Sequence, residues 1–336
     1  MTRARLACAV IGCGFMGSMH ARVLAQIPSA RLIAVVDRDE GAARRLAEET
    51  GAEAATDIAR ALAPDIDAVV IATPDRHHVE PALAALGAGK AVLLEKPMAD
   101  TAEGAAQILR AARGGRLIVG QILRFDPRYR AAADLVAAGE TGEPVHFAAS
   151  RFCRHPGGRA VGSHLCFLMG VHDVDALHWL TGRRVLSAHA VARADALPDQ
   201  RWGVDDVVFA TLTLEGGVLA QLAFGWTLPE GMPTGVQAGF RLVGTRGMVE
   251  VRETEESVLA VTGGQARFPD TVYWPHLGQR IGGSLRLEAE HFVEATLAGA
   301  DYLVPAAEAA AACAVNDAIL LSLRSGGVEA VAGLPD

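Results

Sequence analysis

The sequence predicts an α/β protein: a doubly wound parallel sheet at the N-terminus, then an α+β domain with a large, mostly antiparallel open sheet. Two patterns predict it. Over the first 120 residues, short apolar runs alternate with helix-length segments. From Pro144 onward, longer runs alternate residue by residue. The length agrees, since 336 residues at about 150 per domain make about two domains. The boundary is placed between residues 123 and 124, giving domains 1–123 and 124–336.

In order along the first domain, the apolar runs are 6–11, 32–36, 68–72, 92–94 and 117–119. They are nearly continuous, as strands covered on both faces should be. Helical patterns fill 16–26, 40–49, 79–88 and 102–112. Such alternation implies right-handed crossovers and helices on both faces of a parallel sheet. In the second domain, period-two runs fall at 145–152, 185–193, 206–214, 218–226, 238–243, 248–252 and 258–261. Turn signals such as Glu215-Gly216-Gly217 and Thr262-Gly263-Gly264 separate several of them. Helices are expected at 128–138, 171–180, 285–298 and 306–324.

Composition excludes several classes. At 51% hydrophobic and 21% charged residues the chain is neither disordered nor fibrous. A net charge of -8 argues against nucleic acid or an anionic membrane as partner. No apolar run approaches the roughly 18 residues of a membrane span. Arg3 and Arg5 before a short apolar run, broken at Gly12, read as the approach to a buried strand rather than a signal peptide. The five cysteines are odd in number and lack C-x-x-C spacing. Reduced thiols in a cytoplasmic protein are expected, without disulfides or a metal site. Among 31 basic residues only Lys90 and Lys96 are lysine, so each invites a chemical explanation.

The first run leads into Gly12-Cys13-Gly14-Phe15-Met16-Gly17, with G-x-G-x-x-G spacing at a strand–helix junction. The first glycine permits a tight turn, and the second lets backbone approach a pyrophosphate. The third lets helix and strand pack closely, with the helix N-terminus facing the anion. Asp37 stands 20 residues after Gly17, at the end of the second strand. A carboxylate there accepts hydrogen bonds from ribose hydroxyls. A Rossmann dinucleotide site follows, with Gly12, Gly14, Phe15, Met16, Gly17 and Asp37 at the cofactor. Asp37 favours NAD because it would repel a 2′-phosphate. Arg38 leaves NADP open: it either pairs with phosphate, stacks on adenine, or is a solvated loop charge.

Three further segments carry chemistry. Thr73-Pro74 ends the third strand, with His78 close behind. Glu95-Lys96-Pro97 ends the fourth, and carboxyl ends of parallel strands are where ligands bind. A lysine there can donate a charged hydrogen bond to a substrate oxygen; a structural pair with Glu95 is the alternative. The third segment, 170–180, opens with Gly170-Val171-His172-Asp173. Among these, Thr73, Pro74, His78, Glu95 and Lys96 are expected at the cofactor.

In combination these motifs resemble the Gfo/Idh/MocA oxidoreductase family (glucose–fructose oxidoreductase, inositol 2-dehydrogenase and relatives). The resemblance covers essentially the whole chain. It extends through Arg124-Phe125-Asp126-Pro127, Gly139-Glu140-Thr141-Gly142-Glu143-Pro144 and the tail around Ser322-Leu323-Arg324. It implies a second domain whose sheet packs against another subunit, making a homodimer or homotetramer. It also implies Lys96 on the substrate hydroxyl and His172 as general acid/base. Both roles make chemical sense, because hydride leaves an alcohol carbon only as its hydroxyl proton is removed. A helix-start histidine bonded to backbone is the alternative for His172.

One position departs from the pattern. Inositol dehydrogenase-like members carry an aspartate four residues before the histidine, where this chain has Leu168. Asp173, Asp175, His164 or Ser163 could supply the missing polarity. Arg151, Arg154 and Arg159 precede the helix among glycines and either bind an anionic substrate group or form a solvated loop. Arg124, Arg154, Arg159, His164 and Asp173 are therefore the candidate substrate residues. Trp179 is read as core, and the isolated His276 and His291 as packed or exposed. The expected activity is NAD(P)-dependent hydride transfer at a secondary alcohol or ketone of a sugar, sugar derivative or cyclitol. Alternatives are reduction of C=N or C=C bonds, a redox-neutral reaction on bound NAD, or a non-catalytic dinucleotide sensor.

Overall fold

The computed structural model describes residues 5–113, 116–154, 164–194, 205–253, 258–263 and 265–333. The chain runs β1 (Leu6–Ile11), α1 (Phe15–Gln26), β2 (Ala30–Val36), α2 (Glu40–Thr50), β3 (Glu53–Ala55) and β4 (Ala68–Ile71). It continues with α3 (Val79–Gly87), β5 (Ala91–Leu94), α4 (Ala102–Ala111), β6 (Leu117–Val119), α5 (Pro127–Ala137), β7 (Pro144–Cys153) and α6 (Val171–Thr181). Next come β8 (Val185–Arg193), β9 (Val207–Leu214), β10 (Leu219–Gly225), β11 (Val236–Gly244) and β12 (Met248–Arg252). Two short hairpins follow, β13 (Ala260–Thr262) with β14 (Gln265–Arg267), and β15 (His276–Leu277) with β16 (Arg280–Ile281). Helices α7 (Gly283–Ala298) and α8 (Ala306–Ser325) precede β17 (Glu329–Ala330).

Two compact units result. The first takes Met1–Phe125 and Val272–Ala310, the second Asp126–Thr271 and Ala311–Leu334. The sequence division at 123/124 assigned everything after it to the second domain. Helix α7 departs from that division for a packing reason. Its Leu285, Ala289, Phe292 and Val293 repeat at helical spacing and share a core with Leu6, Val10 and Leu24 of β1 and α1.

In the first unit six strands lie in the order β3-β2-β1-β4-β5-β6, all parallel. Every residue of β1, β4 and β5 is buried, which is why their sequences read as unbroken apolar runs. Strand order reverses between β1 and β4, and such a switch point opens a crevice at the carboxyl ends of the strands. Local chemistry sets the helices. Asp39 caps α2 by accepting the Ala42 amide, and Thr101 caps α4 by accepting that of Gly104. Strand β3 escaped sequence reading because three edge residues, none fully buried, leave no apolar run.

In the second unit seven strands run β12-β11-β7-β10-β9-β8-β17, antiparallel except for the β7/β10 pair. Alternation is sharp: Val208, Ala210, Leu212 and Leu214 of β9 are buried, while Phe209 is 45% exposed on the other face. A π-helical turn at Cys166–Gly170 runs directly into α6, a feature periodicity did not signal. Helix α8 amends the expectation that no segment approaches a membrane span. Within its 20 residues an 18-residue window with a mean hydropathy of 1.4 is long and apolar enough by length and composition, and 56% of that window is buried inside the protein.

Candidate active site

The turn after β1 is built by its glycines. Gly12 has φ +94°, and a Cβ there would lie 2.5 Å from the Ala72 carbonyl oxygen. At Gly17 a Cβ would sit 1.8 Å from the Gly12 carbonyl oxygen, so helix and turn touch backbone to backbone. At Gly14, the N-cap of α1, nothing lies within 4 Å of that position. No side chain caps this helix and no acidic residue stands in its first turn. Free amides at the positive end of a 12-residue helix, reached across a glycine with open space, suit a pyrophosphate. Phe15 beside them is 65% exposed and meets Trp274 edge-on, whereas Met16 packs against the core. The cofactor reading of Met16 therefore reduces to its backbone.

Asp37 closes the turn. Its Oδ2 accepts the Cys13 amide at 2.7 Å and its Oδ1 the Asp39 amide at 2.9 Å. It also lines a cleft of about 420 Å³ with Arg38, Ile58, Thr73, Pro74 and His77. These residues fit the adenosine end of a dinucleotide, with apolar walls and a carboxylate at the ribose. Sequence reading missed Ile58 and His77, whose place depends on how the strand ends converge.

His78 belongs elsewhere. It is 1% exposed, with Nδ1 2.7 Å from the Pro97 carbonyl and Nε2 2.9 Å from that of Thr73. Its ring ties two strand-end turns together rather than facing the cleft. Burial pushes its pKa down, against the two carbonyls that favour the protonated ring.

At the end of β5, Glu95 is buried and its Oε1 lies 2.7 Å from His20 Nε2. Its Oε2 accepts the Lys96 amide at 3.1 Å. Burial alone would raise this carboxyl; the His20 hydrogen bond and the charges of His20, Lys96 and His78 hold it below its ordinary value. The Lys96–Pro97 bond is cis. Lys96 itself is half-buried. The other lysine has a structural task, since Lys90 Nζ donates to the carbonyls of Ala63 at 2.8 Å and Ile66 at 2.7 Å.

Arg124, expected at substrate, is 3% exposed; its guanidinium pairs with Glu308 and donates to the Leu303 carbonyl at 3.2 Å. This is an anchor for the chain returning through the first unit. A buried, doubly engaged guanidinium is not offered to a ligand.

In the second unit His172 is half-buried in the first turn of α6. The adjacent Asp173, also expected at substrate, is 2% exposed. It is held by Arg151 through bonds of 3.2 Å and 2.9 Å. Arg151 also reaches Glu253 at 3.2 Å, and the Tyr129 hydroxyl donates to that carboxylate at 2.6 Å. Burial pushes the Asp173 carboxyl up, against the guanidinium that pulls it down. Arg151 is thus an internal strand cation, not a loop anion receptor.

His164 is paired with Asp205, Nε2 to Oδ2 at 2.9 Å, and its Nδ1 accepts the Cys166 amide at 3.3 Å. Asp205 lies 41 residues away in sequence, so no spacing signal could have found it. Leu168 sits half-buried in the π-helical turn. Arg154 is exposed, with its guanidinium on the Met232 carbonyl. Arg159 and Ser163 lie outside the described residues. Among the described residues no group of three or more His, Cys, Asp or Glu side chains could hold a metal ion.

Residues 6–121 match the family model described as "Oxidoreductase family, NAD-binding Rossmann fold". Residues 129–250 match the "GFO/IDH/MocA C-terminal domain". An inositol 2-dehydrogenase of Rubrobacter xylanophilus is 32% identical over 341 residues, spanning 97% of this chain and 93% of that protein. The crystal structure of GenD2 from gentamicin A biosynthesis, in complex with NAD, is similar with a TM-score of 0.85 at 28% identity. That match covers 99% of this chain and 98% of the other. Apo scyllo-inositol dehydrogenase from Lactobacillus casei shares the fold, with a TM-score of 0.86 at 24% identity over 99% of this chain and 100% of its own.

Proposed function

The chain belongs to the GFO/IDH/MocA oxidoreductase family, with an NAD-binding Rossmann domain, and on that footing we propose that it is a cyclitol or sugar-derivative dehydrogenase. One observation carries the reading furthest. Lys96 stands at the carboxyl end of β5, on the ligand side of the parallel sheet, while Lys90 is committed to backbone carbonyls.

NAD, when bound, supplies the hydride acceptor. The chain's own residues do the rest. The α1 N-terminus and Gly14 hold the pyrophosphate, and Asp37 accepts from the ribose. Lys96 donates to the substrate oxygen and stabilises negative charge as it develops there. His172 takes the hydroxyl proton, and in the reverse direction returns it. The relatives named inositol 2-dehydrogenase support a polyhydroxylated ring as substrate.

Leu168 favours a second reading. With no carboxylate four residues before His172, a substrate that needs less help from that position, such as a C=N or C=C acceptor, fits as well. The open face of the second unit's sheet, with Val191 57%, Phe209 45% and Leu219 54% exposed, supports packing against a second copy. Five cysteines, none of them in a disulfide, support a reducing, cytoplasmic setting.

The test is absorbance at 340 nm with NAD or NADP and a panel of inositols, aldoses, sugar acids and amino sugars, with Lys96→Met as the blank. NADH formation with a cyclitol or sugar derivative, lost in Lys96→Met and in His172→Asn, is the expected result. Cofactor binding without turnover on any panel member would overturn the dehydrogenase reading.

A further inference from the structure

The helical run that carries His172 is open along one line. From residue 164 to residue 177 every residue is buried except His164, Leu168 and His172, which are half-buried. The run begins at His164, whose carbonyl accepts the amides of Phe167 at 2.9 Å and Leu168 at 3.1 Å. Steps of four residues are about one helical turn, so the three stand one above another on a single face. Eight residues at the helical rise set His164 and His172 about 12 Å apart along the axis. That is longer than one six-membered ring spans. Between the two imidazoles the line carries the apolar side chain of Leu168, within the π-helical turn.

At the His164 end, hydrogen bonds settle which group faces outward. The Cys166 amide can only donate, so His164 Nδ1 accepts that bond and Nε2 carries the hydrogen given to Asp205 Oδ2 at 2.9 Å. The Cys166 thiol stands 3.1 Å from the same Nδ1. With both ring nitrogens engaged, His164 has no hydrogen-bonding group left for a ligand, whereas Asp205 has one. Among the described residues nothing donates to Asp205 Oδ1, and the pair reaches solvent, with side chains 20% and 25% exposed. A neutral imidazole and a carboxylate leave one net negative charge there. Burial, and then the charges of Asp205 and Asp317, push the Cys166 thiol well up, so the thiol stays protonated and adds no charge of its own.

We propose that Asp205, oriented by His164, is a specificity-determining residue that binds an ammonium group of the substrate. The substrate is then an amino-bearing glycoside of two rings. Its reacting carbinol lies at His172, an apolar ring face lies over Leu168, and its amine sits on Asp205 Oδ1. A charged donor is favoured over a hydroxyl because it neutralises the pair, and charge-assisted hydrogen bonds are the stronger ones. The placing of the carbinol rests on the dehydrogenase reading; the amine site is read without it.

Calorimetry of the full chain with NAD at pH 6.5 tests it with three probes. They are the β-1,4-linked dimer of glucosamine, cellobiose (which has hydroxyls in place of the amines) and glucosamine itself. The glucosamine dimer should bind at least about tenfold tighter than either of the others. Asp205→Asn keeps an oxygen acceptor for His164 and removes the charge. It should abolish the preference and leave cellobiose binding unchanged. Where an amino-bearing substrate turns over, the same variant should raise its KM roughly tenfold with kcat little changed. A merely structural clasp would instead lower the affinities for dimer and cellobiose together. Equal affinities in the wild type, no binding of the dimer, or a preference that survives Asp205→Asn would each overturn the proposal. Absence of NADH formation with the preference intact would remove the dehydrogenase reading and leave the amine site standing.

Discussion

Arg151 grips Asp173 with two hydrogen bonds, Nε to Oδ2 at 3.2 Å and Nη2 to Oδ1 at 2.9 Å, on the residue next to His172. The strand cation thereby fixes the first turn of α6 from inside the second unit. Glu253 and Tyr129 complete the network, so one guanidinium serves two buried carboxylates.

Removing that cation should therefore be costly. Arg151→Met leaves Asp173 and Glu253 buried without their counter-charge, and a loss of about 3–5 kcal/mol is expected. Urea unfolding followed by far-UV circular dichroism measures it. Arg151→Lys keeps the charge without the planar fork and should fall between.

The glycine turn separates folding from binding. Gly17→Ala drives a methyl group into the Gly12 carbonyl and should cost at least about 3 kcal/mol. Gly14→Ala meets no protein atom, so its melting temperature should match wild type. Its NAD affinity should fall roughly tenfold, the loss of about one charge-assisted hydrogen bond. Calorimetry with and without NAD distinguishes the two; equal NAD affinity in Gly14→Ala would remove the pyrophosphate from this turn.

Asp37 has two duties, anchoring Cys13 and Asp39 amides and facing the cleft. Asp37→Ser should weaken NAD binding roughly tenfold, about 1.4 kcal/mol. It should also narrow the gap to NADP, since the repelling carboxylate is gone and Arg38 remains. Fluorescence titration with both cofactors is the measurement.

Stability should depend on pH through Glu95 and Glu288 with opposite signs. Glu95, held low in the folded protein, contributes stability that is present above its unfolded value of about 4.3 and is lost as pH falls through the folded one. Glu288, held high, contributes stability that is present below about 4.3 and is lost as pH rises through its folded value. Melting temperatures between pH 5 and 9 should therefore decline on the alkaline side in the wild type. Glu288→Gln should flatten that decline.

The local pattern placed several residues of the candidate site at strand ends. The glycine spacing, Asp37 and the Thr73-Pro74 turn all lie where strand ends meet helix starts, and each is encoded within a few residues. His78, Arg124 and Asp173 were not legible in the same way. Each looks polar and available in sequence, and each is buried with partners 5 to 184 residues away in the chain.

By itself the sequence determined the kind of chain this is: continuous apolar runs for a parallel sheet, alternation for a one-sided sheet, and glycines where only backbone fits. Those properties follow from local sterics and from burial periodicity. Tertiary structure decided which polar groups are free and which are internal. It brought α7 and Glu288 back to the first unit's core, paired His164 with Asp205, and set Arg151 between two carboxylates. A buried charge takes its state from the groups packed around it, and those neighbours are assembled by folding rather than by sequence proximity.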